Sequence, residues 1–113
     1  PGEIRLWDWE SGKVARILRG CRYGILGLAL SPDGRLLASG GGLHGTAGEV
    51  KLWDTSTGRW IADLKGHRAW VECVAFSPDG KTLVSAGGWG DGPGEIKLWD
   101  LRARPERESD PLR

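Results

Sequence analysis

The sequence predicts an all-β protein assembled from four-stranded antiparallel units that recur every 46 residues. Three observations lead there. The heptapeptides GEIRLWD, GEVKLWD and GEIKLWD stand at 2–8, 48–54 and 94–100. Residues 2–54 slide onto 48–100 without a gap, and 24 of 53 positions are identical. Gly or Pro interrupts the chain every 10 to 15 residues and no stretch sustains a helical apolar period, so helices have no case. A fixed period of roughly 20 to 50 residues marks stacked copies of one supersecondary unit.

Each element has a local reason. Ile25–Ser31 and Val71–Ser77 are nearly continuous apolar runs, as expected of first strands covered on both faces. They enter Ser31-Pro32-Asp33-Gly34 and Ser77-Pro78-Asp79-Gly80, where Pro presets the second turn position and Gly supplies the permissive fourth. Hairpin partners follow at Leu36–Gly41 and Thr82–Gly87. After a Gly-rich loop come the third strands, Glu49–Trp53 and Glu95–Trp99, with apolar residues alternating against Lys, and an earlier copy spans 3–8. Thr55-Ser56-Thr57-Gly58 is turn chemistry, and fourth strands follow at Arg59–Lys65 and 13–19.

Composition excludes several functions. The chain has 113 residues, with 16 Lys and Arg against 15 Asp and Glu, a net charge of +1. That balance argues against a nucleic-acid surface, which needs concentrated positive charge. The longest apolar stretch, Ile25 to Leu30, is strand-sized, so no membrane helix is expected. No apolar signal core appears near the start, and a cytoplasmic location is the expectation. Cys21 and Cys73 are 52 residues apart, without zinc or redox spacing, and read as free thiols.

The pattern resembles the WD40 repeat family. Trp7-Asp8, Trp53-Asp54 and Trp99-Asp100 close the third strands, Gly66-His67 opens a repeat, and two Ser-Pro-Asp-Gly turns join first and second strands. The likeness covers about residues 2–101. It implies four-stranded blades of a β-propeller ringing a central channel. It also implies a buried hydrogen-bonded set, which in the last repeat would be His67, Ser85, Trp99 and an acid such as Asp91. Two departures stand out. Gly20-Cys21 replaces Gly-His, leaving the middle repeat only Ser39 and Trp53 of that set, and the loops 40–48 and 86–94 are long for the family.

The units divide as a partial blade at 2–20, a full blade at 21–66 and a blade lacking its last strand at 67–101. A closed propeller needs at least about four blades and commonly seven, or roughly 320 residues at this period. An incomplete ring is therefore expected, completed by further blades in cis or by self-association in trans. Residues 102–113, RARPERESDPLR, read as a charged, disordered tail.

No chemistry competes with this reading. Gly40-x-Gly42-x-x-Gly45 spells a dinucleotide pattern, but a strand rather than a helix follows it. His44 and His67 lie in different repeats with no second ligand at metal spacing. Ser39 and Ser85 sit in no nucleophile elbow. Asp8, Asp54, Asp100, Asp33 and Asp79 recur at turns, where each copy needs them to fold. No catalytic residue, cofactor or metal is assigned.

Binding is different, because positions where the copies disagree are free of a common structural demand. Trp70 corresponds to Gly24, Tyr23 to Ala69 and Trp89 to Leu43, with Arg22 and Arg68 alongside. Aromatics and Arg on loops are frequent interface anchors. The competing reading is that Trp70 and Trp89 merely cover a blade edge. Trp9 and Trp60 read as packing residues beside strands. The resemblance implies a non-catalytic scaffold recognising a protein or peptide. The alternatives are a regulatory or sensing module of a larger enzyme or signalling protein, and a self-assembling oligomeric propeller.

Overall fold

A computed structural model of the chain describes residues 3–21, 23–43, 47–88 and 94–103. The strands are β1 (Glu3–Asp8), β2 (Lys13–Arg19), β3 (Ile25–Leu30), β4 (Leu36–Gly41), β5 (Glu49–Asp54), β6 (Trp60–Asp63), β7 (Val71–Phe76), β8 (Thr82–Gly87) and β9 (Glu95–Asp100). They form three antiparallel sheets, ordered β1-β2, β3-β4-β5-β6 and β7-β8-β9. A 3-10 turn, Leu101–Ala103, follows β9, and Leu101 N–H donates to the Lys81 carbonyl at 2.8 Å.

The turns hold by local chemistry repeated from sheet to sheet. Gly34 has φ +77° and its N–H donates to Ser31 O at 2.9 Å. Ser31 Oγ accepts from Leu36 N–H at 3.0 Å and donates to Asp33 Oδ1 at 2.7 Å. The same bonds recur at Ser77, Asp79 and Thr82. Asp54 Oδ1 accepts from Ser56 N–H at 2.8 Å and Ser56 Oγ–H at 2.7 Å. Asp8 likewise accepts from Glu10 N–H at 2.9 Å. Every turn carboxylate is thus committed to folding its own turn.

The sheets stack face to face around two apolar layers. Ile4, Leu18, Cys21, Leu37 and Trp53 join the first sheet to the middle one. Ala38, Val50, Leu52, Ala62 and Leu64 on the middle sheet meet Val71, Val74 and Leu83 on the third. One repeat position therefore has different burial in different sheets. Val50 and Leu52 are 1% and 0% exposed, whereas their counterparts Ile96 and Leu98 are 75% and 71% exposed. Trp53 is fully buried by the first sheet, but its counterpart Trp7 is exposed. The three sheets form an arc that does not close.

Several expectations change. The apolar run of β3 predicts cover on both faces, yet its burial alternates and Leu26, Leu28 and Leu30 face outward. The cause is that the first sheet holds only β1 and β2, of third and fourth type, so among the described residues no inner strand of that sheet lies opposite β3. Similarly, β7 buries Val74 toward β3 but exposes Cys73 and Ala75 on its other face. The fourth strand shortens to Trp60–Asp63, the first strands stop before their turn serines, and the third strands run on through Asp54 and Asp100. Trp9, read as a packing residue, is almost fully exposed at the tip of its turn. Arg102 belongs to the 3-10 turn, its Nε 3.1 Å from Asp100 Oδ1, and the rest of the tail from 104 lies outside the described residues.

Candidate functional site

The alternation of strand direction sorts the loops. First strands begin, second strands end and third strands begin at one end of the sheets, so loops 20–24, 42–48 and 64–70 share that end. The Ser-Pro-Asp-Gly turns and the turns after Asp8 and Asp54 share the other. Tyr23, Arg68 and Trp70 all lie at the first end. Arg22, His44, Trp89 and Asp91 lie outside the described residues.

His67 organises this end in the third sheet. Its Nε2 lies 2.6 Å from Ser85 Oγ, and Trp99 Nε1–H donates to the same oxygen at 2.8 Å. Indole nitrogen only donates and carboxylate only accepts. Ser85 Oγ–H therefore donates a hydrogen bond to Nε2, and Nδ1–H faces Glu95 Oε1 at 3.3 Å. Glu95, on β9, holds the acidic place of the set and also accepts from Arg68 N–H at 2.9 Å. Burial pushes the His67 pKa down, with Glu95 opposing. The imidazole is accordingly neutral in this chain of bonds.

In the middle sheet Trp53 Nε1–H donates to Ser39 Oγ at 3.1 Å, and Ser39 hydrogen-bonds the Cys21 thiol. Cys21 is buried and free, and burial pushes its thiol pKa up. A thiol has no second ring nitrogen, so Cys21 cannot bridge onward as His67 does to Glu95. The two sheets keep the Trp-to-Ser half and differ in the rest.

Beside this network a cavity of about 450 Å³ opens, lined by Tyr23, Glu49, Lys51, Trp60, Asp63 and His67 among others. Lys51 is buried, and its Nζ lies 2.7 Å from Asp63 Oδ1. The same ammonium sits 4.3 Å from the Trp60 ring centroid, and Trp60 Nε1–H donates to Asp63 at 3.2 Å. The pair fixes the indole as one wall while leaving it half exposed. Tyr23, half-buried, also lines the cavity. Trp70 is half-buried with its Cα and Cβ against Gly42, and Arg68 is exposed.

Reading positions one at a time missed Trp60, Lys51, Asp63 and Glu95. Pairing the third and fourth strands across the Gly58 turn sets Trp53 opposite Trp60 and would put Lys51 opposite Ala62; a register shift between Leu52 and Trp53 brings Lys51 opposite Asp63 instead. Among the described residues no three His, Cys, Asp or Glu side chains gather as a metal set, and no helix is long and apolar enough to cross a membrane.

Comparison with known proteins agrees with the stacked sheets. No curated protein sequence matches the chain. The family described as WD domain, G-beta repeat matches residues 12–54 and 58–100, most of the chain. Each match begins at the turn before a fourth strand and ends with the third strand of the next sheet, so every repeat bridges two sheets. With its Trp-Asp strand ends and its propeller-like sheets, this chain belongs to the WD40 repeat family.

Proposed function

We propose that this chain is a non-catalytic scaffold whose loop end receives a peptide or protein segment, with Tyr23, Trp60 and Arg68 as contacts. WD40 repeats generally serve as protein-interaction scaffolds. The observation that carries the finer reading is the cavity at the shared loop end. Two aromatic side chains, Tyr23 and a Trp60 pinned by an ion pair, line it together with Glu49, Lys51 and Asp63. Preset aromatic surface binds a segment at little cost in side-chain entropy. The turn carboxylates, committed to backbone and hydroxyl donors, offer no convergent acid–base pair, which supports a binding rather than a catalytic role. The near-neutral charge favours protein over nucleic acid as partner.

A displayed random-peptide selection against the chain tests this. Selected peptides are expected to lose binding on Tyr23→Ala or Trp60→Ala and to keep it on Trp9→Ala, which lies at the opposite end. Peptides indifferent to both cavity substitutions would move the site elsewhere.

A further inference from the structure

The two sheets that carry a Trp-to-Ser bond differ in what lies beyond the serine, and the difference falls beside the cavity. In the third sheet the His67 ring spans the distance from Ser85 Oγ, at 2.6 Å, to Glu95 Oε1, at 3.3 Å. The middle sheet keeps the serine, Ser39, and the acid, Glu49, at the same register positions. Gly41 pairs with Glu49 as Gly87 pairs with Glu95. Between them stands Cys21 in place of the imidazole. A thiol ends at the first atom past Cβ, where the imidazole continues toward its acid.

The room so left belongs to the cavity. Alternation along β5 puts Glu49 and Lys51 on the same face as Trp53, which packs with Cys21. Gly20, Glu49 and Lys51 all line the cavity. After burial and the Ser39 bond, Glu49 is the charge that weighs most on the Cys21 thiol. Lys51 is held by Asp63 at 2.7 Å and lies against the Trp60 ring. A carboxylate has room for several donors. Glu95 shows this, since one oxygen accepts from both His67 and Arg68 N–H.

We infer that the cavity receives an arginine side chain of the bound peptide, whose guanidinium takes the place of the missing imidazole and donates to Glu49. The inference rests on the reading of the cavity as a peptide site and names the anchor that the site selects. A guanidinium is as flat as the ring it replaces. Its fork of N–H donors can grip a carboxylate with two parallel bonds while its faces lie against aromatic surface, which Tyr23 and Trp60 supply. An ammonium fills neither the shape nor the fork, so lysine is the weaker anchor.

The probe is Nα-acetyl-arginine N-methylamide, titrated into the full chain and followed by NMR at the Trp60 indole N–H, with the lysine analogue beside it. A saturable shift in the millimolar range is expected, with the lysine analogue bound at least about fivefold more weakly. Glu49→Gln keeps the shape of the side chain and should weaken the arginine probe by about tenfold. Cys21→His restores the ring, so it should raise the melting midpoint and abolish probe binding together. Undiminished binding in Glu49→Gln, or in a folded Cys21→His chain, overturns the inference, as does equal affinity for the lysine analogue or no shift with either. Peptides from the random selection separate this claim from the one beneath it. Peptides that need Trp60 yet carry no arginine and ignore Glu49→Gln overturn the anchor and leave the peptide site standing. Peptides indifferent to the cavity substitutions remove both.

Discussion

His67 Nε2 and Ser85 Oγ lie 2.6 Å apart in the third sheet, at the place where the middle sheet sets Cys21 against Ser39. The same fold position is therefore held by a bridge that reaches onward to Glu95 in one sheet and by a thiol in the next. Removing His67 should cost more than removing Cys21. His67→Ala leaves Ser85 and Glu95 without a shared partner and opens a buried space, an expected loss of about 2–4 kcal/mol. Cys21→Ala removes one sulfur, at about 1 kcal/mol. Urea denaturation of both variants checks the order.

Acid should act through two windows. Burial lowers the His67 pKa from 6.5, so the unfolded chain binds its proton first. That contribution is complete above pH 6.5 and is lost as pH falls toward the lower folded value, against the opposing pull of Glu95. Stability should rise with pH in that window, and His67→Gln should flatten the rise.

A second window lies lower. Hydrogen bonds hold Asp33 (from Arg35 N–H first), Asp54 and Asp79 (from Ser56 and Ser77) below the ordinary 3.8. Their contribution is present above 3.8 and disappears as pH falls through the depressed folded values. A denaturation series from neutral pH to strong acid should show two separate losses.

Equivalent residues should respond unequally. Leu52→Ala empties a fully buried site between sheets and should cost about 2–5 kcal/mol. Leu98→Ala, one repeat later on an open face, should change this chain's stability by no more than about 0.5 kcal/mol. Thermal unfolding of the two variants decides the matter, and equal effects would contradict the stacking described.

Close approach between inner strands makes a fourth prediction. Gly27→Ala places a Cβ against the backbone of β7, not against a side chain that can swing away. A cost of about 1–3 kcal/mol is expected. Ala29→Gly, two residues on, adds no bulk and serves as the comparison.

The strands and turns were legible because their causes are local. Ser31, Asp33 and Gly34 build a turn from bonds within six residues, and the repeat carries it unchanged to Ser77, Asp79 and Gly80. Lys51 opposite Asp63 was not legible, since the short turn alone sets Lys51 against Ala62 and a register shift between Leu52 and Trp53 brings Asp63 there. Glu95 as the partner of His67 was not legible either, because the two are 28 positions apart and meet only when β9 lies beside the loop before β7.

From the sequence alone came the 46-residue unit, its four-strand order and its family, because each depends on residue chemistry repeated at fixed spacing. Only the tertiary structure decided which copies are buried and which are bare. Val50 and Ile96 are near-identical in chemistry and context along the chain, yet one is sealed and the other open. Burial is set by the neighbouring sheet, and a residue's own repeat does not say whether that neighbour is there.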